Sequence, residues 1–130
     1  MPDALVEAAL AVRAHAHAPF SNFRVGAAVE DASGRIHTGC NVENATYGLT
    51  VCAERVAIFK AISEGVKPHQ FRRVAVAADA ESLTPPCGAC RQILWEFCGD
   101  VEVVLVNPQG KSESLRMRDL FPRAFDESYL

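Results

Sequence analysis

The sequence predicts a three-layer α/β/α fold, in which helices cover both faces of a central mixed sheet. Between residues 35 and 106, apolar strand candidates alternate with helix candidates, a pattern typical of parallel strands joined by right-handed crossovers. The first two strand candidates, residues 24–30 and 35–40, are separated only by a short turn and predict an antiparallel hairpin. The length of 130 residues corresponds to one domain, residues 1–130, which can fold without disulfides or a structural metal.

The first third of the chain contains a helix, the hairpin and a loop. Asp3 can cap a helix over residues 4–17, where apolar residues recur at helical spacing. Apolar and other residues alternate in the first hairpin strand, as expected for a half-buried strand. Residues 41–51 are polar and irregular, and they form either a functional loop or a plain connection.

The second third predicts a helix followed by a buried strand. Residues 52–64 carry an apolar stripe at helical spacing, with Thr50 as a possible cap and Gly65 as the stop. Residues 73–78 are apolar without alternation after the initial arginine, which is typical of a central strand covered on both faces.

The last third repeats this order. Two prolines introduce a helix over residues 87–98, which ends at Gly99. Residues 101–106 form the next apolar strand, a turn leads to a possible short last strand, and residues 115–121 are a candidate terminal helix.

Composition excludes several classes of function. The net charge of −3, with no basic run, argues against a nucleic-acid polymer as partner. No stretch approaches the roughly 18 apolar residues of a membrane span, and the acidic N-terminal region is unlike a signal peptide. We therefore expect a cytoplasmic protein. In that reducing compartment the five cysteines should be thiols or metal ligands.

Three cysteines stand at the starts of the two central helices. Cys87 and Cys90 are three residues apart on a helix, so both can bind one Zn²⁺. If the two helices begin at the same edge of the sheet, Cys52 becomes a third ligand. Catalytic zinc has three protein ligands and one open position, whereas structural zinc has four. The spacing therefore predicts a catalytic zinc site.

The remaining cysteines and histidines leave one alternative open. Cys98 lies about 12 Å along the helix from Cys90, too far to bind the same ion, and is expected in the core. Cys40 is interpreted as a small buried side chain. It could instead be a fourth ligand in a non-catalytic, zinc-stabilised binding module. None of the four histidines has a companion that would make it a ligand.

Two charged residues follow Cys52. Glu54 in the first helical turn could simply favour the helix dipole, but beside a zinc site it can take a proton from bound water and pass it on. Three thiolates around Zn²⁺ sum to −1, and two helix N-termini of roughly +0.5 each offset that charge. Arg55 is either a solvated surface arginine or a further positive group against a cysteine sulfur.

These residues carry a resemblance to a known family. The strings CAE at residues 52–54 and PCGAC at 86–90 resemble the zinc deaminase signature, with Cys in place of its His. Together with NVENA at 41–45 and SNF at 21–23, they resemble the small homotetrameric cytidine deaminases. The resemblance implies hydrolytic deamination of cytidine and deoxycytidine to uridine and deoxyuridine with release of ammonia, in pyrimidine salvage. It also implies one Zn²⁺ per subunit and a cytidine deaminase-like fold.

The resemblance implies roles for four residues of the pocket. Asn41 and Glu43 bind ribose hydroxyls, Phe23 packs against the base, and the main chain of Ala53 orients the ring. Each side chain has a plainer alternative: a turn former for Asn41, a surface charge for Glu43, and a core anchor for Phe23.

The resemblance also implies sites shared between the subunits of a homotetramer, with Tyr47 and Phe125 reaching a neighbour's site. A rival within the same scaffold is a deaminase of an aminonucleoside antibiotic, and the pair Asn41 and Glu43 argues against it. The mechanism implied is that Glu54 carries protons from water to the pyrimidine and then to the leaving amine.

Overall fold

The structure, a computed structural model, describes residues 3–130 and contains one mixed five-stranded sheet. The strand order is β2-β1-β3-β4-β5, in which β1 is antiparallel to both of its neighbours. β3 and β4 are parallel, and β5 returns antiparallel to β4. The strands are β1 (Val25–Asp31), β2 (Ile36–Cys40), β3 (Phe71–Ala78), β4 (Glu102–Val106) and β5 (Ser112–Arg116).

Within residues 3–130, four α-helices accompany the sheet. Asp3 caps α1, since its side chain accepts a hydrogen bond from the backbone N–H of Leu5 at 3.0 Å. α2 and α3 begin directly after Cys52 and Cys87, which occupy their N-cap positions. The helices are α1 (Ala4–Val12), α2 (Ala53–Ser63), α3 (Gly88–Cys98) and the short α4 (Met117–Leu120).

The helices cover both faces of the sheet and give the predicted three layers. On one face, Leu5 and Ala9 of α1 pack in a cluster with alternate strand residues such as Ala28. On the other face, Ile58 of α2 and Leu94 of α3 are fully buried in the larger core cluster. Burial of these apolar side chains holds the layers together at about 25 cal/mol per Å² of surface removed from water.

Two glycines of the hairpin allow helices to approach the sheet closely. A Cβ at Gly39 would lie 2.5 Å from the backbone nitrogen of Ala57 and 2.8 Å from the carbonyl oxygen of Ala53, both in α2. A Cβ at Gly26 would lie 2.1 Å from the carbonyl oxygen of Ala9 in α1. Only glycine fits at these two positions, because real Cβ atoms do not come this close to backbone atoms.

The first helix is shorter than predicted. The helix predicted over residues 4–17 ends at Val12 and is followed by a 3₁₀ turn, Arg13–His15. His17 leaves the helix because its backbone N–H bonds to the carbonyl of Asn41 and its carbonyl accepts from the N–H of Glu43. This pairing with a distant segment outweighs the local helical pattern.

Thr50 is not the cap of α2, because its hydroxyl accepts a hydrogen bond from the N–H of Asn44 within the preceding loop. The third strand begins at Phe71, two residues earlier than predicted. The terminal helix predicted from residue 115 begins only at Met117, since Leu115 pairs with Val103 in the sheet.

The predicted parallel pairing of strands joined by a helix is confirmed only for β3 and β4. β3 and β4 are parallel neighbours joined through α3, as predicted. β2 and β3 run in the same direction but are not paired, because β1 lies between them. Among residues 3–130, no helix combines the length and hydropathy needed to cross a membrane.

Candidate functional site

The two central helices bring three cysteines together at one edge of the sheet. β2 and β3 run in the same direction, so the helices that follow them begin at the same edge. Cys52, Cys87 and Cys90 have their Sγ atoms within 4.8 Å of one another. Among the described residues the cluster holds these three possible ligands and no fourth. Cys40, the candidate fourth ligand, is half-buried and outside the cluster, and Cys98 is buried, as expected.

The chemistry of this donor set fits Zn²⁺. Thiolates are preferred zinc ligands, and three of them leave the fourth tetrahedral position free. The hydrogen bond that Cys90 gives to Cys52 lowers the pKa of Cys52 to about 5 and raises the pKa of Cys90. The sulfurs therefore lie close enough to share protons, and binding a metal ion releases such protons. We conclude that Cys52, Cys87 and Cys90 can hold one zinc ion.

Arg55 lies against one of these sulfurs. Its Nη2 is 3.2 Å from the Sγ of Cys52, and the guanidinium adds to the lowering of the pKa of that thiol. The contact also raises the pKa of Arg55 itself. The positive group and the N-termini of α2 and α3 together offset the negative charge of three thiolates.

Glu54 occupies the first turn of α2 and is only 5% exposed. Burial, with a contribution from the negative charge of Cys52, raises the pKa of Glu54 to about 7. A carboxyl group with a pKa near neutrality both takes up and releases a proton readily. This property and its position beside the cysteines make it a candidate acid–base group.

A pocket of about 180 Å³ opens beside Cys52, Cys87 and Glu54. Its walls are mainly apolar, as in most small-molecule sites. Asn41 is buried in its wall, where the amide nitrogen donates to the carbonyl of Phe23 at 2.8 Å and the amide oxygen accepts from the N–H of Val25 at 2.9 Å. The other lining residues are Phe23, Val25, Thr50, Ala53, Val76, Thr84 and Pro85.

The structure places the predicted substrate contacts in two groups. Phe23, Asn41 and Ala53 line the pocket with Glu54. Glu43 lies instead in an adjacent shallow cavity that shares Thr50 with it. The carboxylate of Glu43 accepts a hydrogen bond from the hydroxyl of Ser21, which chiefly lowers its pKa, and a second one from the N–H of Phe20 at 2.9 Å.

The two predicted inter-subunit aromatics lie away from the pocket within one chain. Tyr47 lines the adjacent cavity and is 74% exposed. Phe125 is 57% exposed, its ring stacks on Tyr129, and its carbonyl accepts a hydrogen bond from Gln92 at 2.9 Å.

Several residues at or near the site were not predicted from the sequence. Thr84 and Pro85 line the pocket, and their position just before the PCGAC string is the signal that could have identified them. Val76 also lines it, without any such signal. The contacts of His37 were not predicted either: it is buried between Asp31 and Glu64, with its Nε2 2.9 Å from the first carboxylate and its Nδ1 3.2 Å from the second.

Three thiols that fit zinc, beside a buried carboxyl group in a pocket, are the parts of a catalytic zinc centre, which defines the class of the protein as a zinc enzyme. Residues 2–107 match the family described as "Cytidine and deoxycytidylate deaminase zinc-binding region". The chain belongs to this family. The resemblance to cytidine deaminases is therefore confirmed, as are the α/β fold and the zinc dependence.

Individual relatives agree with the family. The chain is 44% identical to the cytidine deaminase of Sporosarcina psychrophila over 129 residues, or 98% of this chain and 93% of that protein. It is 46% identical to the cytidine deaminase of Halalkalibacterium halodurans over 122 residues, or 93% and 91%. The crystal structure of cytidine deaminase from Burkholderia pseudomallei matches with a TM-score of 0.92 at 48% identity, covering 96% of this chain and 100% of that one.

Proposed function

We propose that this pocket catalyses the hydrolytic deamination of cytidine and deoxycytidine to uridine and deoxyuridine with release of ammonia, a step of pyrimidine salvage. The observation that carries the proposal is the buried carboxyl group of Glu54, which opens on the same pocket as Cys52 and Cys87. The identity to cytidine deaminases over nearly the whole chain supports the substrate class.

In this proposal Cys52, Cys87 and Cys90 hold the zinc ion. When bound, zinc would act as a Lewis acid, which lowers the pKa of water to about 7. The three side chains fix the ion from two helix tips, so that neither helix can move without disturbing the site. Arg55 balances the charge of the sulfurs through its contact with Cys52.

Glu54 carries the protons. Its carboxylate accepts one proton from water at an Oε atom and donates it to N3 of the pyrimidine ring while the oxygen of that water bonds to C4. The carboxylate then takes the second proton from the new hydroxyl on C4 and gives it to the amine, so that the C–N bond breaks, ammonia leaves and C4 becomes a carbonyl. Overall, water adds to C4 and ammonia departs, so one carboxyl group serves every transfer. The apolar walls of the pocket support this role, because they keep the group desolvated.

Phe23, Asn41 and Ala53 are proposed to receive the nucleoside. The half-buried ring of Phe23 offers a flat apolar surface to the base. The main chain of Ala53, next to Glu54, is proposed to orient the pyrimidine ring. Asn41 and Glu43 are proposed to bind the ribose hydroxyls. Thr50 lines both cavities, so a ribose could extend from one to the other.

We further propose a homotetramer with one Zn²⁺ per subunit and shared sites. The exposure of Tyr47 and Phe125 supports this, because large exposed aromatic side chains mark interaction surfaces. Residues 1–130 form a single catalytic domain in this proposal. The free thiols and the net charge of −3 support a cytoplasmic enzyme without a nucleic-acid polymer as partner.

An absorbance assay that distinguishes cytidine from uridine tests the proposed reaction. The purified protein should deaminate cytidine and deoxycytidine, and a chelator that removes zinc should abolish the activity. A substrate panel should include an aminonucleoside antibiotic. Turnover of the antibiotic without turnover of cytidine would contradict the proposed substrate class.

Glu54→Gln tests the proposed proton carrier. Because general acid–base catalysis contributes about 10²–10⁴-fold, the rate should fall by that factor while the zinc content is retained. Glu7→Gln is the matched control, since Glu7 is an exposed carboxylate in the first turn of α1 and can only favour the helix dipole. Equal rates for the wild-type protein and Glu54→Gln would reject the role of Glu54.

A further inference from the structure

We propose that Arg91 is a positioning residue for the zinc site, because its guanidinium group holds the backbone that carries Cys87. Arg91 lies on α3, one turn after Cys87. The inference rests on the metal site of the proposed function. It concerns how that site is held together and adds no new ligand.

The side chain of Arg91 connects two backbone carbonyls. Its Nε donates to the carbonyl oxygen of Pro86 at 2.8 Å, and its Nη1 donates to the carbonyl oxygen of Leu120 at 2.6 Å. The backbone N–H of Arg91 donates to the carbonyl oxygen of Cys87 at 2.9 Å. Arg91 therefore binds the two carbonyl oxygens that flank the N–Cα bond of Cys87, which are those of Pro86 and of Cys87 itself.

Cys87 needs such support more than Cys90 does. Cys90 is buried inside α3, so packing fixes its position. Cys87 is exposed at the N-cap, follows the irregular segment 79–86, and makes no side-chain capping bond. Pro86 is fully buried, so its carbonyl oxygen needs a hydrogen-bond partner, and Arg91 provides it.

The partners of Arg91 indicate a role in position rather than in charge. Both of its hydrogen bonds end on carbonyl oxygens, whereas Arg55 is the arginine that lies against a sulfur. The bond to Leu120, at the end of α4, orients the guanidinium group toward Pro86. We infer that loss of Arg91 frees the Pro86–Cys87 peptide, so that Cys87 leaves the zinc ion more readily.

The test is the rate at which a chromophoric chelator removes zinc from the holoenzyme, measured well below the melting temperature of every variant. Arg91→Met keeps the aliphatic stem but removes both donors, and we expect zinc release about tenfold faster, at the lower end of the effect of residues that orient metal ligands. Arg91→Lys keeps one cationic donor and should give an intermediate rate.

Arg73→Met is the matched control. Arg73 is a half-buried arginine on β3 whose side chain connects Asp3 at 2.6 Å with Glu102 at 2.9 Å, at the end of the strand opposite the cysteines. This substitution should lower the melting temperature but leave zinc release at the wild-type rate. If Arg73→Met accelerates release as much as Arg91→Met for the same loss of melting temperature, Arg91 acts only through global stability and the proposal fails.

Two further outcomes are decisive. Wild-type release from Arg91→Met would also overturn the proposal, and if that variant does not fold, Arg91→Lys must release zinc faster than Arg73→Met or the proposal fails. A wild-type protein that takes up no zinc would instead disprove the metal site of the proposed function. The two failures are therefore distinguishable.

Discussion

Gly39 allows α2 to pack closely on the sheet. Gly39→Ala should therefore move Cys52 and Glu54, at the start of α2, relative to Cys87 and Cys90 on α3. The new Cβ would lie 2.5 Å from the nitrogen of Ala57, 2.8 Å from the oxygen of Ala53 and 2.8 Å from the Cβ of Val56. All three atoms belong to the backbone or the rigid start of a side chain, so none can rotate away. The helix itself must move.

The size of this movement predicts both a stability loss and a catalytic loss. Carbon atoms pack best at about 3.5–4.0 Å, so α2 must retreat by about 1 Å. Overpacking a core costs about 1–3 kcal/mol, and we expect about 3 kcal/mol because backbone atoms are displaced. α2 carries Glu54 and begins at Cys52. A misplacement of about 1 Å can reduce the rate about 10²-fold.

Urea unfolding and steady-state kinetics of Gly39→Ala and Gly26→Ala separate these two effects. A Cβ at Gly26 meets α1 at 2.1 Å from the oxygen of Ala9, on the other face of the sheet. Gly26→Ala should therefore lose at least as much stability while the surviving folded enzyme keeps a kcat close to wild type. The reasoning is refuted if both variants lose kcat equally, or if Gly39→Ala retains it.

Three further predictions address charge, packing and pH. Arg55→Gln should reduce zinc retention or turnover about tenfold, since it removes the positive contact to Cys52, and unchanged zinc content and rate would contradict this. Leu94→Ala should lower the free energy of unfolding by about 2–5 kcal/mol in chemical denaturation, because Leu94 is fully buried; a loss well below that range would show that the core relaxes around the cavity. The hydrogen bond from His37 holds the pKa of Asp31 below its ordinary value of 3.8. The charged carboxylate therefore stabilises the fold fully above pH 3.8, and this contribution to the free energy of unfolding is lost as the pH falls further. Asp31→Asn should thus be less stable at neutral pH, with the gap closing below pH 3.8 in unfolding experiments, and a gap independent of pH would count against the carboxylate.

The metal cluster could be predicted from the sequence because each step depends on local spacing or on a general topological rule. The spacing of Cys87 and Cys90 places both on one face of a helix start. Cys52 joins them because helices that follow strands of the same direction begin at the same sheet edge. This reasoning holds although β1 separates β2 from β3, since only the strand direction matters.

Features set by contacts between distant segments could not be predicted in this way. α1 stops at Val12 because the backbone of His17 pairs with residues 41–43, and nothing in the local helical pattern encodes this pairing. The carboxylates around His37 come from Asp31 and from Glu64, 27 residues away. Asp31 reaches His37 across the predicted hairpin, but the position of Glu64 follows from the packing of α2 on β2, which periodicity does not reveal.

The pKa values of two acidic groups at one helix tip shift in opposite directions, and burial decides the difference. The positive end of α2 favours negative charge on both Cys52 and Glu54, by about 0.3–1 kcal/mol. The rise in the pKa of Glu54 from 4.5 to about 7 corresponds to about 3 kcal/mol, so burial outweighs the helix end there. Cys52 is half-buried and receives hydrogen bonds from Cys90 and Arg55, and its pKa falls to about 5. The sequence CAE therefore places a metal-binding thiolate and a proton-holding carboxyl group on a single turn, because Glu54 is almost fully buried whereas Cys52 is half-buried and hydrogen-bonded.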